Sequence, residues 1–266
     1  MDMVRFLIMA FVMMMPFFTG YVQLPGEQAA SYQSGYLGLE CIEAGTDSYY
    51  IQTLYLEKLE EWKGEGYIPL IVQKDEFGVM EDSVSRAVME YGSMENYAKE
   101  MLEKAKQVDA GQFFEENREN YELWMEWAEE EATDPDYSWE DDPDIQSDLY
   151  LPGYGGTYLI LKVPAKEPYE VLAYVPFGGY NECPLPEEHI AVAKRWYELY
   201  GAVPCAVGYD TLQYYLEEPV TDREAVEKLS EEMMIYCADI VFQGVGDLDY
   251  LKASIKGSPF WFFWWD

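Results

Sequence analysis

SPFWFFWWD, residues 258–266, sets six aromatic side chains in a row, Phe260 to Trp265, and follows them with Asp266. In a strand, successive side chains alternate faces. Phe260, Phe262 and Trp264 would lie on one side, with Trp261, Phe263 and Trp265 on the other. Both faces are aromatic, so both need cover, and a solvent-facing edge does not suit such a strand. The run is therefore expected as an interior strand, with TYLILKV (157–163) pairing outside it.

Upstream of the tail, VLAYVPF (171–177), AVPCAVG (202–208) and TLQYYLE (211–217) read as further strands. PEEHIAVAKRWYELYG reads as a helix with Pro186 near its start and Gly201 as its stop. Thr221 and Glu224 have capping-box spacing and open a helix to about Tyr236, and Asp247 opens a shorter one that Gly257 ends. From Val171 the order is β-α-β-β-α-(α)-β. That is the ferredoxin-like βαββαβ sequence with an extra helix, and TYLILKV is the added strand.

The first half of the chain is richer in helix. Residues 47–63 and Ser93 to about Val108 carry apolar stripes at helical spacing, with the strand YIPLIVQ (67–73) between them, and a third amphipathic helix runs from Phe114 to Ala128. Acids and prolines then crowd into EEEATDPDYSWEDDPDIQSD (129–148), where two Asp-Pro steps favour extended or turn geometry. The expected class is α+β. It comprises an apolar segment over 1–30, a helix-rich α/β region over 31–131, an acidic linker or loop over 132–149 and an α+β domain over 150–266.

The 266 residues carry 51 acidic and 17 basic side chains, a formal charge of −34. Such a chain repels nucleic acid phosphates and anionic lipid surfaces, and favours a basic protein partner. Glu129, Glu130, Glu131, Asp141 and Asp142, interleaved with Tyr137 and Trp139, are the candidate docking segment for it. FLIMAFVMMMPFF (6–18) has the length of a signal-peptide core and is short for a bilayer span. Asp2 beside Arg5 and the lack of a small-x-small site favour a cytoplasmic protein over an exported one. Membrane contact arises only if this segment is an uncleaved anchor.

Cys41, Cys183, Cys205 and Cys237 form no CxxC pair, so neither a structural zinc nor any other metal or cofactor site is expected, and they read as buried thiols. His189, the single histidine, falls in a first helical turn and reads as a surface residue. Gly178 and Gly179 allow a tight turn or a close backbone approach, with Tyr180 and Asn181 following. Asp239, Gln243 and Asp266 are polar groups set in apolar runs and need partners.

Three of these stretches carry a resemblance. PFGGYNECPLPEEH (176–189), YCADIVFQGVG (236–246) and SPFWFFWWD resemble the FGGWN, CPDIVxQG and WYFWWD motifs of the bacterial domain-of-unknown-function family 4253. The likeness runs from Tyr158 to Asp266 and, more weakly, over Cys41 to Val84. Tyr180, Ala238 and Phe262 depart from the motifs without removing a polar group. The resemblance implies no activity. It implies an association with bacterial toxins, as immunity factors.

Three functional expectations follow. The first is a non-catalytic acidic protein-binding module, an immunity factor against a basic toxin. The second is an enzyme, small-ligand or metal-binding protein with a cleft at Asn181, Asp239, Gln243 and Asp266. The third is an exported structural or surface protein.

Overall fold

In the computed structural model, the chain is described over residues 32–119, 121–122, 125, 137–141, 143–152 and 156–266. The apolar segment 6–18, Glu129 to Glu131 and Asp142 lie outside the described residues.

The protein is α+β, built on a seven-stranded mixed sheet in the order β1-β2-β4-β3-β5-β6-β7. The strands are β1 (Tyr32–Tyr36), β2 (Leu39–Gly45), β3 (Ile68–Lys74), β4 (Thr157–Val163), β5 (Val203–Val207), β6 (Thr211–Tyr215) and β7 (Phe260–Trp264). All neighbouring strands are antiparallel except β3 and β5. The central strands alternate their apolar side chains between two cores. Leu70, Val72, Leu159, Leu161 and Val163 face the larger one, and Ile71, Tyr158 and Ile160 the smaller.

Helix α1 (Ser48–Lys63) covers the smaller core with Ile51, Leu54, Tyr55 and Trp62. The other face is covered by α2 (Val79–Tyr91), α3 (Met94–Ala105), α4 (Ala110–Glu116), α5 (Pro186–Tyr200), α6 (Arg223–Tyr236) and α7 (Leu248–Ile255), with a π-helical turn at Ile240–Val245. Helix α5 ends where Gly201 takes φ +71° and returns its N–H to Tyr197. The side-chain cap of α6 is Asp222, which accepts from the Ala225 amide at 3.0 Å, rather than Thr221.

VLAYVPF is not a strand. Residues Pro168–Tyr174 form a 3-10 helix, and the Glu170 carboxylate folds back to accept from the Lys166 and Glu167 amides. An apolar run buried on every side looks the same to periodicity whether it is strand or helix. Here Pro168 and Pro176 cannot donate to a ladder. Without that strand the ferredoxin-like order does not form. TYLILKV instead becomes the interior strand β4, between β2 and β3.

The tail is a strand with the expected alternation, but among the described residues it lies at the sheet edge and pairs with β6 alone. Trp261, Phe263 and Trp265 enter the larger core, where Trp196 stacks on Phe263 at 5.4 Å. On the opposite face, Phe260 packs against Tyr215 and Phe262 meets the ring of Tyr150 edge-on at 5.0 Å. Helical cover on one side and residues 144–150 on the other replace the neighbouring strand.

That second cover comes mostly from the segment expected as an acidic linker or loop, and its described residues 143–149 are a loop packed on the sheet. Asp144 donates its amide to Ala253, Gln146 to Ser258 Oγ and Leu149 to Gln52, while Tyr150 exchanges two hydrogen bonds with Gln213. The boundary at 132–149 therefore does not divide the sheet, in which β3 lies between β4 and β5.

Candidate functional site

The site begins with a run of left-handed backbone between the 3-10 helix and α5. Gly178 has φ +99°, Gly179 +75° and Asn181 +45°. A side chain at Gly178 would place its Cβ 2.3 Å from the Pro184 carbonyl and 2.7 Å from His189 Nε2. Glycine is needed there for space as well as for conformation. The turn closes with Gly179 N–H to the Pro184 carbonyl at 2.8 Å and Cys183 N–H to Tyr180 at 2.9 Å.

The turn does not use Asn181 locally. Its amide nitrogen donates to the backbone carbonyl of Asp266. The Asp266 amide in turn donates to Asp239 Oδ2 at 3.0 Å, and Gln243 Nε2 donates to Asp239 Oδ1 at 3.0 Å. Asn181, Asp266, Asp239 and Gln243 thus form one hydrogen-bonded chain that clamps the end of β7. A fourth tie, from Cys237 Sγ to the Trp264 carbonyl at 3.0 Å, satisfies part of the free edge.

Beside this clamp is an open cleft of about 700 Å³, walled by Gly178 to Asn181, the Tyr209-Asp210 turn, the first turns of α2, and Trp264 to Asp266. Asn181 and Asp266 line it. Asp239 faces a separate cavity of about 220 Å³ on the far side of Trp265, and Gln243 lines neither. Asp75, buried at the foot of α2, accepts from the amides of Phe77, Val79 and Met80 and fixes that helix start. Met80, Ser83 and Arg86 of α2 complete the wall, and Arg86 bonds Ser83 Oγ at 3.0 Å.

Asp210, in the turn between β5 and β6, brings a buried carboxylate to the wall. It is 8% exposed, and its Oδ2 accepts from Trp264 Nε1 at 3.1 Å. Its Oδ1 has no partner at bonding distance. Burial raises its pKa, the Trp264 and Tyr209 side chains oppose that rise, and the Asp266 charge adds to it. Trp265, which lines both cavities, has an indole nitrogen that is likewise buried without a partner.

Below the glycine turn, His189 is 1% exposed, not a surface residue. It shares a helix face with Ala193 and Trp196, four and seven residues on, which is the signal that could have placed it. Nε2 lies 3.3 Å from Cys183 Sγ, and Nδ1 bonds the Tyr236 hydroxyl. Burial lowers the His189 pKa to about 3 and raises the Cys183 thiol to about 12, so both are neutral. This is not the thiolate–imidazolium pair of a cysteine nucleophile. All four cysteines are buried free thiols.

In the candidate docking segment, Asp141 is exposed, whereas Trp139 is 7% exposed under Lys252 and Lys256, and Tyr137 lies against Tyr250. Among the described residues no group of three His, Cys, Asp or Glu is arranged to hold a metal, and no helix is long and apolar enough to cross a membrane.

No curated protein and no solved structure matches the chain. Residues 159–266, which carry every part of the clamp and all of the cleft except α2, match the model of the family described as Domain of unknown function (DUF4253).

Proposed function

We propose that the protein is a non-catalytic acidic binding module that docks a basic protein partner at this cleft. The observation that carries the reading is the division of labour among the carboxylates. Asp239 is occupied on both oxygens by the clamp, whereas Asp210 and Asp266 stand on the wall of an open cleft. A clamp aspartate with both oxygens engaged by donors offers none to a ligand in the cleft, whereas two wall carboxylates favour a cation. The charge of −34 extends that preference over the whole surface and steers a basic partner toward it. That the partner is a toxin, with this protein as its immunity factor, is carried by the family resemblance.

The test is capture of partners from the native host at low and high ionic strength. A basic protein retained at low salt and released as salt rises supports the reading, because exposed charge pairs are screened. Recovery of no protein, or of one whose retention ignores salt, overturns it. A small-ligand protein is the second reading, favoured by a cleft volume within the range of small-molecule sites, about 300–1,000 Å³.

A further inference from the structure

We propose that the group seated in the cleft is the guanidinium of an arginine side chain, held by Asp210 with Asp266 beside it. This rests on the reading of the cleft as a partner-binding site and names the chemistry it takes.

The argument starts from what Asp210 lacks. A buried carboxylate oxygen without a donor is costly, and nearly all such atoms in folded proteins find one. Trp264 occupies Oδ2 and the Tyr209 side chain also acts on the carboxylate, yet Oδ1 stays without a partner at bonding distance, buried within a residue that lines the cleft. The nearby charge of Asp266 adds to the cost of charge at Asp210, since two carboxylates without a cation repel each other. A cation between them relieves both costs at once.

The protein's own cation does not do so. Arg86 lines the same cleft but hydrogen-bonds Ser83, and among the described residues it forms no ion pair. The incoming cation must therefore come from outside.

The rest of the wall selects the kind of cation. Phe177, Tyr180, Trp264 and Trp265 make it strongly aromatic. A planar, weakly hydrated guanidinium stacks on such rings and can present two donors to a carboxylate, whereas an ammonium stays strongly hydrated. The unpartnered indole N–H of Trp265 asks for an acceptor as well. An arginine within a peptide brings both: guanidinium donors and a backbone carbonyl.

The test titrates the full chain with N-acetyl-arginine methylamide, followed by amide chemical shifts, with the citrulline analogue as a neutral isostere. The arginine probe should bind at least ten-fold more tightly than the citrulline probe, and more weakly as salt rises. Asp210→Asn keeps an oxygen for Trp264 and removes the charge, so it should weaken the arginine probe at least ten-fold. Asp266→Asn should weaken it several-fold. Equal binding of the two probes to the wild type, or no binding of the arginine probe at millimolar concentration, overturns the inference, and neither result depends on any variant folding. Undiminished arginine binding by a folded Asp210→Asn protein overturns it too. A host partner captured equally by wild type and Asp210→Asn sinks this assignment and leaves the binding-module reading standing, whereas failure of the wild type to capture any partner sinks that reading instead.

Discussion

Asn181 and Asp266 meet across 85 positions of sequence, side-chain amide to backbone carbonyl, and Asp239 holds the amide of the same Asp266 from the other side. The end of β7 is fixed by side chains that lie outside its own ladder. Because Asn181 and Asp266 are exposed, their bond competes with water. Asn181→Ala should cost about 0.5–1 kcal/mol, and Asp239→Ala, which loses two bonds, about 1–2 kcal/mol. The double variant should fall short of the sum, because both act on one segment. Urea denaturation reads the stabilities; a double variant equal to or beyond the sum would mean that the two ties do not share a load.

Gly178→Ala should be far worse than Gly201→Ala. Both positions have positive φ, but only at Gly178 would a Cβ collide with a carbonyl and with His189. We expect about 1 kcal/mol at Gly201 from conformation alone and more than about 3 kcal/mol at Gly178. Comparable melting temperatures for the two variants would show that the turn and His189 can move apart.

His189 ties stability to pH. Its folded pKa lies near 3, against an ordinary value of 6.5. Below pH 6.5 the unfolded chain therefore takes up a proton that the folded protein refuses, and stability is lost as pH falls until about pH 3. The slope is about 1.4 kcal/mol per pH unit. His189→Gln lacks this proton while sharing every carboxylate, so between pH 6 and 4.5 the wild type should lose stability faster than the variant. Parallel pH profiles would place the imidazole in contact with water.

Trp139 separates folding from docking. With its ring buried beneath two lysines, Trp139→Ala should destabilise by about 3 kcal/mol or more. Thermal melts decide the point: an unchanged melting temperature would return Trp139 to the candidate docking surface.

Removing Trp261 to Asp266 should unfold the protein. Trp261, Phe263 and Trp265 supply buried rings to the core around Trp196 and Tyr236. A soluble truncation with native near-ultraviolet dichroism would contradict this.

Much of the fold was legible because its strands are short apolar runs between turn residues, as in YIPLIVQ and TYLILKV, and its helices carry clear stripes. VLAYVPF failed for lack of any period to read. β2 was missed because Cys41, Ile42 and Ala44 are a sparse buried set. Helix α2 was missed because it buries only Met80 and Ala87. At the site, Asn181, Asp239, Gln243 and Asp266 announced themselves as polar groups among apolar ones. Asp210 did not, since an aspartate in a Tyr-Asp hairpin turn looks ordinary until its burial is known. Edge against interior was unreadable in the tail, because two covered faces say nothing about which strand lies alongside.

The position of β3 has a consequence for how the protein is made. Both its neighbours in the sheet, β4 and β5, are encoded well downstream of it. A ribosome that has released IPLIVQK has exposed a strand of mostly buried residues with both hydrogen-bonding edges bare, and the wait lasts for the whole helical stretch up to Thr157. During synthesis the first half is therefore a sticky intermediate. The dense negative charge of the intervening helices and acidic segment gives that nascent chain a way to stay apart from its neighbours until the second half arrives.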